Sequence, residues 1–95
     1  MRRNRILDKA DKKQVKVTVY GAEWCPPCHA AKDYLKSKNI DYTYINVDEN
    51  REAGMNIAHK TGWTAIPIIE IGEEHILGFD IGKLNSALRA AKLLA

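Results

Sequence analysis

Val15-Lys16-Val17-Thr18-Val19-Tyr20 runs through Gly21-Ala22-Glu23-Trp24 into Cys25-Pro26-Pro27-Cys28, and the reading of this stretch decides the fold. Its first six residues alternate and are β-branched, which predicts a strand ending at Gly21. Pro26 and Pro27 then open a segment with Ala30, Ala31, Tyr34 and Leu35 at helical spacing, fading near Asn39. The two cysteines therefore stand where a strand ends and a helix begins. Residues three apart in a helical turn bring their Cα atoms to about 5 to 6 Å, within reach of a disulfide, so the pair can open and close with little backbone movement. Pro26 biases Cys25 away from helical angles, which suits an N-cap residue. Its sulfur would face the free N–H of Cys28 and the positive end of the helix dipole. That setting favours the thiolate, the nucleophilic form. Cys28, one turn in and more covered, suits a resolving role.

Downstream, Tyr42-Thr43-Tyr44-Ile45-Asn46-Val47 reads as a second strand. Asp48 or Asn50 can cap a second helix, roughly residues 51–60, stopped by Gly62. Ile66-Pro67-Ile68-Ile69-Glu70-Ile71 reads as a third strand, and Gly72-Glu73-Glu74 as a hairpin turn into a short fourth strand, residues 75–77. Asp80 can cap a last helix that carries Ile81, Leu84, Leu88 and Ala91 on one face. The expected order is β-α-β-α-β-β-α: an α/β domain with a four-stranded mixed sheet flanked by helices.

The chain has 95 residues, 45% of them hydrophobic and 28% charged, which allows one domain with one core and excludes wholesale disorder. No apolar run approaches the length of a membrane span. The net charge of +3 is unevenly placed. Arg2, Arg3, Arg5, Lys9, Lys12 and Lys13 outweigh Asp8 and Asp11, a balance of +4 in residues 1–14. The remainder holds nine basic and ten acidic groups, a balance of −1. Residues 1–13 are read as a basic N-terminal tail, dispensable for chemistry, and residues 14–95 as the domain. No aromatic is interleaved with the tail's charges, which argues against nucleic acid as a partner. Ile6-Leu7 is too short for the apolar part of a secretion signal, so a cytoplasmic protein with thiols reduced at rest is expected.

Two other uses of the cysteines compete with redox exchange. A zinc site would need His29, His59 or His75 to complete a half-filled tetrahedron, and none has the spacing for it. Cys25-x-x-Cys28-His29 matches a c-type haem attachment pattern, with Met55 as a second axial ligand. A β-branched strand running straight into the motif is wrong for a small helical cytochrome.

The sequence resembles the glutaredoxin family of the thioredoxin fold over residues 15 to about 92. The resemblance rests on Val17-Thr18-Val19-Tyr20, Cys25-Pro26-Pro27-Cys28, Thr64-Ala65-Ile66-Pro67 and Gly78-Phe79-Asp80. It is similar too to the small redoxin that feeds class Ib ribonucleotide reductase, while Ala22-Glu23-Trp24-Cys25 looks like thioredoxin. The resemblance implies that Pro67 is a cis-proline facing the cysteine pair, with the Ile66 backbone free to pair with a bound peptide or thiol. It implies that Trp24 flanks the nucleophile as an apolar contact, and that Gly78, Phe79 and Asp80 hold the γ-glutamyl end of glutathione; for Asp80 a plain N-cap competes. Four positions depart from it. Gly21 stands where many members carry a lysine that contacts glutathione, Ala65 replaces a threonine, Leu77 replaces the first of two glycines, and Val19 replaces the buried aspartate of thioredoxins.

The function expected is a dithiol–disulfide oxidoreductase, an electron carrier of cell redox homeostasis. Cys25 attacks a protein disulfide and Cys28 resolves the mixed disulfide. No bound cofactor and no metal are expected beyond the Cys25–Cys28 disulfide. No nucleotide-binding glycine motif is present, so electrons come from another molecule. A thioredoxin-reductase-type enzyme is preferred as donor, with glutathione as the alternative co-substrate. The partners are a disulfide-containing protein, ribonucleotide reductase among the candidates, and an external reductase; a monomer without membrane contact is expected.

Overall fold

A computed structural model describes residues 15–94, so the basic tail lies outside the described residues. The elements are β1 (Val17–Gly21), α1 (Pro26–Ser37), β2 (Thr43–Asn46), α2 (Arg51–Thr61), β3 (Ile68–Ile71), β4 (Glu74–Leu77) and α3 (Ile81–Ala90). Strand order in the sheet is β2-β1-β3-β4. β1 runs parallel to β2, while the β1–β3 and β3–β4 pairs are antiparallel. The order and the mixed sheet are those expected, while several strand ends move: β1 starts at Val17 and not Val15, and β4 at Glu74 and not His75. β2 spans only Thr43–Asn46, and β3 starts at Ile68, after Pro67 and not at Ile66.

Alternation sorts the sheet into two faces. Val17, Val19, Ile69, Ile71 and Ile76 join Ala31 and Leu35 of α1 and Leu84, Ala87 and Leu88 of α3 in one buried cluster. Ile81, read as part of that apolar face, is instead 50% exposed. It is the first residue of α3, before the helix has settled onto the sheet. Asn39 (φ 58°) and Lys92 (φ 63°) end α1 and α3 in the left-handed region. Behind them the amides of Ile40 and Leu93 bond back to the carbonyls of Leu35 and Leu88, closing each helix by a Schellman motif. Asn50, not Asp48, caps α2, its Oδ1 accepting from Ala53 N at 3.1 Å.

The opposite face meets α2 through charge. Glu70 alternates with Ile69 and Ile71, and its Oε2 accepts from Lys60 Nζ of α2 at 3.1 Å and pairs with His75 Nε2 of β4 at 2.9 Å. Burial pushes the Glu70 carboxyl up, but the hydrogen bonds and charges of His75 and Lys60 outweigh it and hold the group below its ordinary value. A depressed carboxyl stabilises the fold above its unfolded pKa, about 4.3 for Glu, and that stability is lost as pH falls through the lower folded value. Glu70→Gln is therefore expected to cost about 1 kcal/mol at neutral pH, with the gap to wild type closing on acidification below about pH 4. Melting temperature against pH for both proteins checks it; a gap that stays constant down to pH 2 would refute it.

Candidate active site

The turn from β1 into α1 builds the site. Cys25 is the N-cap residue, with extended backbone (φ −103°, ψ 103°), and Pro26 and Pro27 fill the first two helical positions. Neither proline has an N–H, so the first amide the helix can offer is that of Cys28. It is shared between Cys25 Sγ, 3.3 Å away as the sequence predicts, and the Cys25 carbonyl at 3.1 Å. The two sulfurs are joined in a disulfide, with Cα atoms 5.2 Å apart. Their exposures barely differ, 3% for Cys25 and 0% for Cys28, so the contrast between an open and a covered thiol is much smaller than the sequence reading supposes.

Gly21 is the position where the structure corrects the sequence most. It is read above as the place of a missing lysine. A Cβ built there would lie 2.8 Å from Cys28 Sγ and 2.9 Å from Cys28 Cβ. Position 21 is thus the floor beneath the disulfide, with no room for a side chain. The glycine is required because the helix start and the strand end approach within one methyl group.

The remaining predicted residues come from two other segments and, for Trp24, from the same β1–α1 turn. The Ile66–Pro67 bond is cis, as expected. Ile66 packs against the small cluster of Ala22, Cys25 and Cys28, and Pro67 is fully buried. The carbonyl of Pro67 accepts from Gly78 N at 2.8 Å, which draws the Gly78-Phe79-Asp80 turn to the same end of the sheet. Within that turn Asp80 caps α3, its Oδ1 accepting from Lys83 N at 3.1 Å. Phe79 packs toward Tyr34 of α1, ring centroids 6.0 Å apart. Trp24, beside Cys25 in sequence, is 68% exposed and is held by its Nε1, which donates to Asp48 Oδ2 at 2.8 Å. His29, the haem-ligand candidate, has Nε2 2.7 Å from the Glu23 carbonyl, and Met55 stands exposed on α2.

Three features of the site escape the sequence. The Asp48 tether of Trp24 joins residues 24 apart and has no local signature. Arg51 lines, with Ile66, Met55 and Trp63, a cavity of about 260 Å³ between α2 and the Pro67 loop. Tyr44 of β2 brings its ring edge to 3.2 Å from the same Cβ position at Gly21 that Cys28 Sγ crowds. Among the described residues, no three or more His, Cys, Asp or Glu are grouped to hold a metal ion, and no helix is long and apolar enough to cross a membrane.

An N-cap sulfur facing a helix amide, closed onto a second sulfur one turn in, is suited to thiol–disulfide exchange, which needs no prosthetic group. Comparison with known proteins agrees. The Glutaredoxin family profile matches residues 17–76. A glutaredoxin of Pseudomonas aeruginosa is 40% identical over 77 residues, covering 81% of this chain and 89% of the relative. The glutaredoxin-like protein NrdH of Escherichia coli is 30% identical over 80 residues, covering 81% of this chain and 98% of the relative. The solved structure of the E. coli NrdH-redoxin superposes with a TM-score of 0.70 at 28% identity, covering 75% of this chain and 92% of that one. Profile, relatives and geometry place the chain in the glutaredoxin family of the thioredoxin fold, as a thiol–disulfide oxidoreductase whose redox-active group is the Cys25–Cys28 pair.

Proposed function

We propose that the protein reduces disulfides of other proteins, with Cys25 as the attacking thiol and Cys28 as the resolving one. The observation that carries this reading is the Cys28 amide aimed at Cys25 Sγ from the first free position of α1. That hydrogen bond and the helix dipole favour a thiolate at Cys25, and a thiolate attacks. Ile66, packed against the pair, and Pro67 form the rim on which the substrate chain lies, with Trp24 as its apolar shoulder. Gly78, Phe79 and Asp80 close the other side; the carboxylate of Asp80 serves α3 as a cap and the Gly78 amide bonds Pro67, so binding falls to the backbone of Phe79 and Asp80. Residues 1–13 stand outside this chemistry. A monomer in a reducing cytoplasm is the setting, and ribonucleotide reductase is a candidate substrate, by the likeness to NrdH.

A thioredoxin-reductase-type enzyme is the preferred electron donor. Glutathione is anionic and needs cations or N–H groups for its carboxylates. Lys60, the cation nearest in sequence to the Pro67 loop, is held by Glu70. The exposed Trp24 has acidic company: Glu23 precedes it in sequence and Asp48 accepts from its Nε1. The E. coli NrdH-redoxin is described as having a thioredoxin-like activity profile, which supports the same choice. One observation favours glutathione: Arg51 sits in the wall of the cavity beside Ile66. The test is NADPH consumption with insulin as substrate and each reducing system supplied separately. Turnover with thioredoxin reductase at least tenfold above that with glutathione and glutathione reductase is expected. The reverse ratio would make the protein a glutathione-dependent glutaredoxin.

A further inference from the structure

Cys28 must give up its proton before it can resolve a mixed disulfide, and β1 offers it no help. The β1 residues turned toward α1 are Val17, Val19 and Gly21, none of which can donate or accept through a side chain. β2 does offer something. Tyr44 is the register partner of Val19, so it lies on the same face of the sheet. The absent Cβ of Gly21 leaves a slot with Cys28 Sγ on one side, 2.8 Å from the Cβ position, and Tyr44 Cε1 on another, 3.2 Å from it. The Tyr44 hydroxyl is buried and has no partner in hydrogen-bonding geometry among the described residues, with the Glu23 carboxylate close enough to act on its titration. A buried orphan hydroxyl is costly, and in a native structure it calls for an explanation, a redox or catalytic role among them. Here the described state is the disulfide, in which Cys28 Sγ carries no charge.

We propose that Tyr44 is the hydrogen-bond donor that serves the Cys28 sulfur when the pair is reduced, stabilising its thiolate for the resolving step. The proposal rests on the two-cysteine cycle above and adds a third residue to it. In the cycle, the Cys25 thiolate bonds to one sulfur of the substrate disulfide, the substrate S–S bond breaks, and the departing thiolate takes a proton from water. Cys28 then releases its proton to water and its thiolate attacks Cys25 Sγ. The Cys25–Cys28 bond forms, and the second substrate thiolate leaves and is protonated. Two electrons pass from the protein dithiol to the substrate disulfide, and Tyr44 keeps its own proton throughout.

The surroundings suit a donor that does not ionise. Burial first, and then the nearby carboxylates of Glu23, Asp48 and Glu49, raise the Tyr44 pKa, so the phenol stays protonated where the enzyme works. From α1 the Lys32 ammonium sits 3.8 Å from the ring centroid, drawing charge from the ring and strengthening the O–H as a donor. The charged groups facing Tyr44 are thus Lys32 from α1, Glu23 from the β1–α1 turn, and Asp48 and Glu49 from the β2–α2 turn.

Tyr44→Phe keeps the ring and its packing and deletes only the hydroxyl. The pH dependence of iodoacetamide alkylation is measured for Cys28 in a Cys25→Ser background and for Cys25 in a Cys28→Ser background, each with and without the Tyr44→Phe substitution. The substitution is expected to lower the Cys28 thiolate fraction at a given pH about tenfold, and to leave that of Cys25 unchanged. In the two-cysteine protein, the dithiol–disulfide equilibrium should move toward the disulfide as pH rises into the range where the Cys28 thiolate is populated, by up to about the same factor, and stay unchanged where the thiol is protonated. The oxidised variant should melt no lower than wild type, because an unpartnered hydroxyl has been removed. An unchanged Cys28 profile, or an equal shift at both cysteines, would overturn the proposal. A lower melting temperature of the oxidised form would also overturn it, by showing that the hydroxyl serves Glu23 in the disulfide state. These titrations follow each sulfur by position, so they are independent of which thiol attacks; trapping of the mixed disulfide decides that separately.

Discussion

Cys25→Ser is expected to lower insulin-disulfide reduction on the order of a thousandfold, to the rate of the reductant alone, because the thiol that remains, Cys28, is fully buried and does not occupy the N-cap position that favours a thiolate. Cys28→Ser should behave differently. It keeps the attacking sulfur and the backbone amide that faces it, since the hydrogen bond comes from the Cys28 main chain and not from its side chain. Attack then proceeds and the cycle stops at a mixed disulfide on Cys25. Intact-mass spectrometry after mixing with a disulfide peptide reads this directly, as one added peptide that reductant removes. An adduct of Cys25→Ser at Cys28 that forms as fast, or faster alkylation of Cys28 than of Cys25 in the reduced protein at neutral pH, would reverse the roles.

The second large effect is expected at Gly21, which carries no reactive group. Alanine there places a methyl 2.8 Å from Cys28 Sγ, 2.9 Å from Cys28 Cβ and 3.2 Å from Tyr44 Cε1. Neither cysteine atom is the loose end of a long side chain: Cβ is anchored in α1 and Sγ is tied to Cys25. Overpacking of this kind costs about 1 to 3 kcal/mol. The loss should be larger in the oxidised protein, where the disulfide fixes the sulfur, than in the reduced protein, where the thiol can rotate away. The dithiol–disulfide equilibrium should therefore shift toward the dithiol. Gly82→Ala is the control. The nearest atom to a Cβ at Gly82 is Asp80 Oδ1 at 3.6 Å, an ordinary contact, and a helical alanine there should raise stability by about 0.5 to 1 kcal/mol. Melting of both variants in both redox states tests the pair. Equal melting of Gly21→Ala and wild type in the oxidised state would refute the account of position 21.

Local chemistry is what the sequence reports well. The strand before the pair, the prolines at the first two helical positions, Asn50 and Asp80 as caps and the glycine-bearing hairpin after β3 all act within a few residues, so their signals survive in one dimension. The boundaries that moved did so where pairing decides and composition does not. Tyr42 and Val47 have the composition of β2 but no register partner in β1, and Ile66 is drawn out of β3 toward the cysteines.

By itself, then, the amino-acid order determined the order of elements, the mixed sheet and the cysteine pair at a helix N-terminus, while the place of Pro67 opposite the pair came from the family resemblance. Periodicity, capping and proline stereochemistry are properties of neighbouring residues. Only the tertiary structure decided what each position faces. It turned Gly21 from an absent cation into the floor of the disulfide, tethered Trp24 to Asp48, handed Lys60 to Glu70 and set Tyr44 beside Cys28. Each of these joins residues 7 to 24 apart in the chain across adjacent strands or from helix to sheet or turn. Contacts of that kind depend on sheet register and helix placement, and those are settled when the whole core packs and not by any local run of residues.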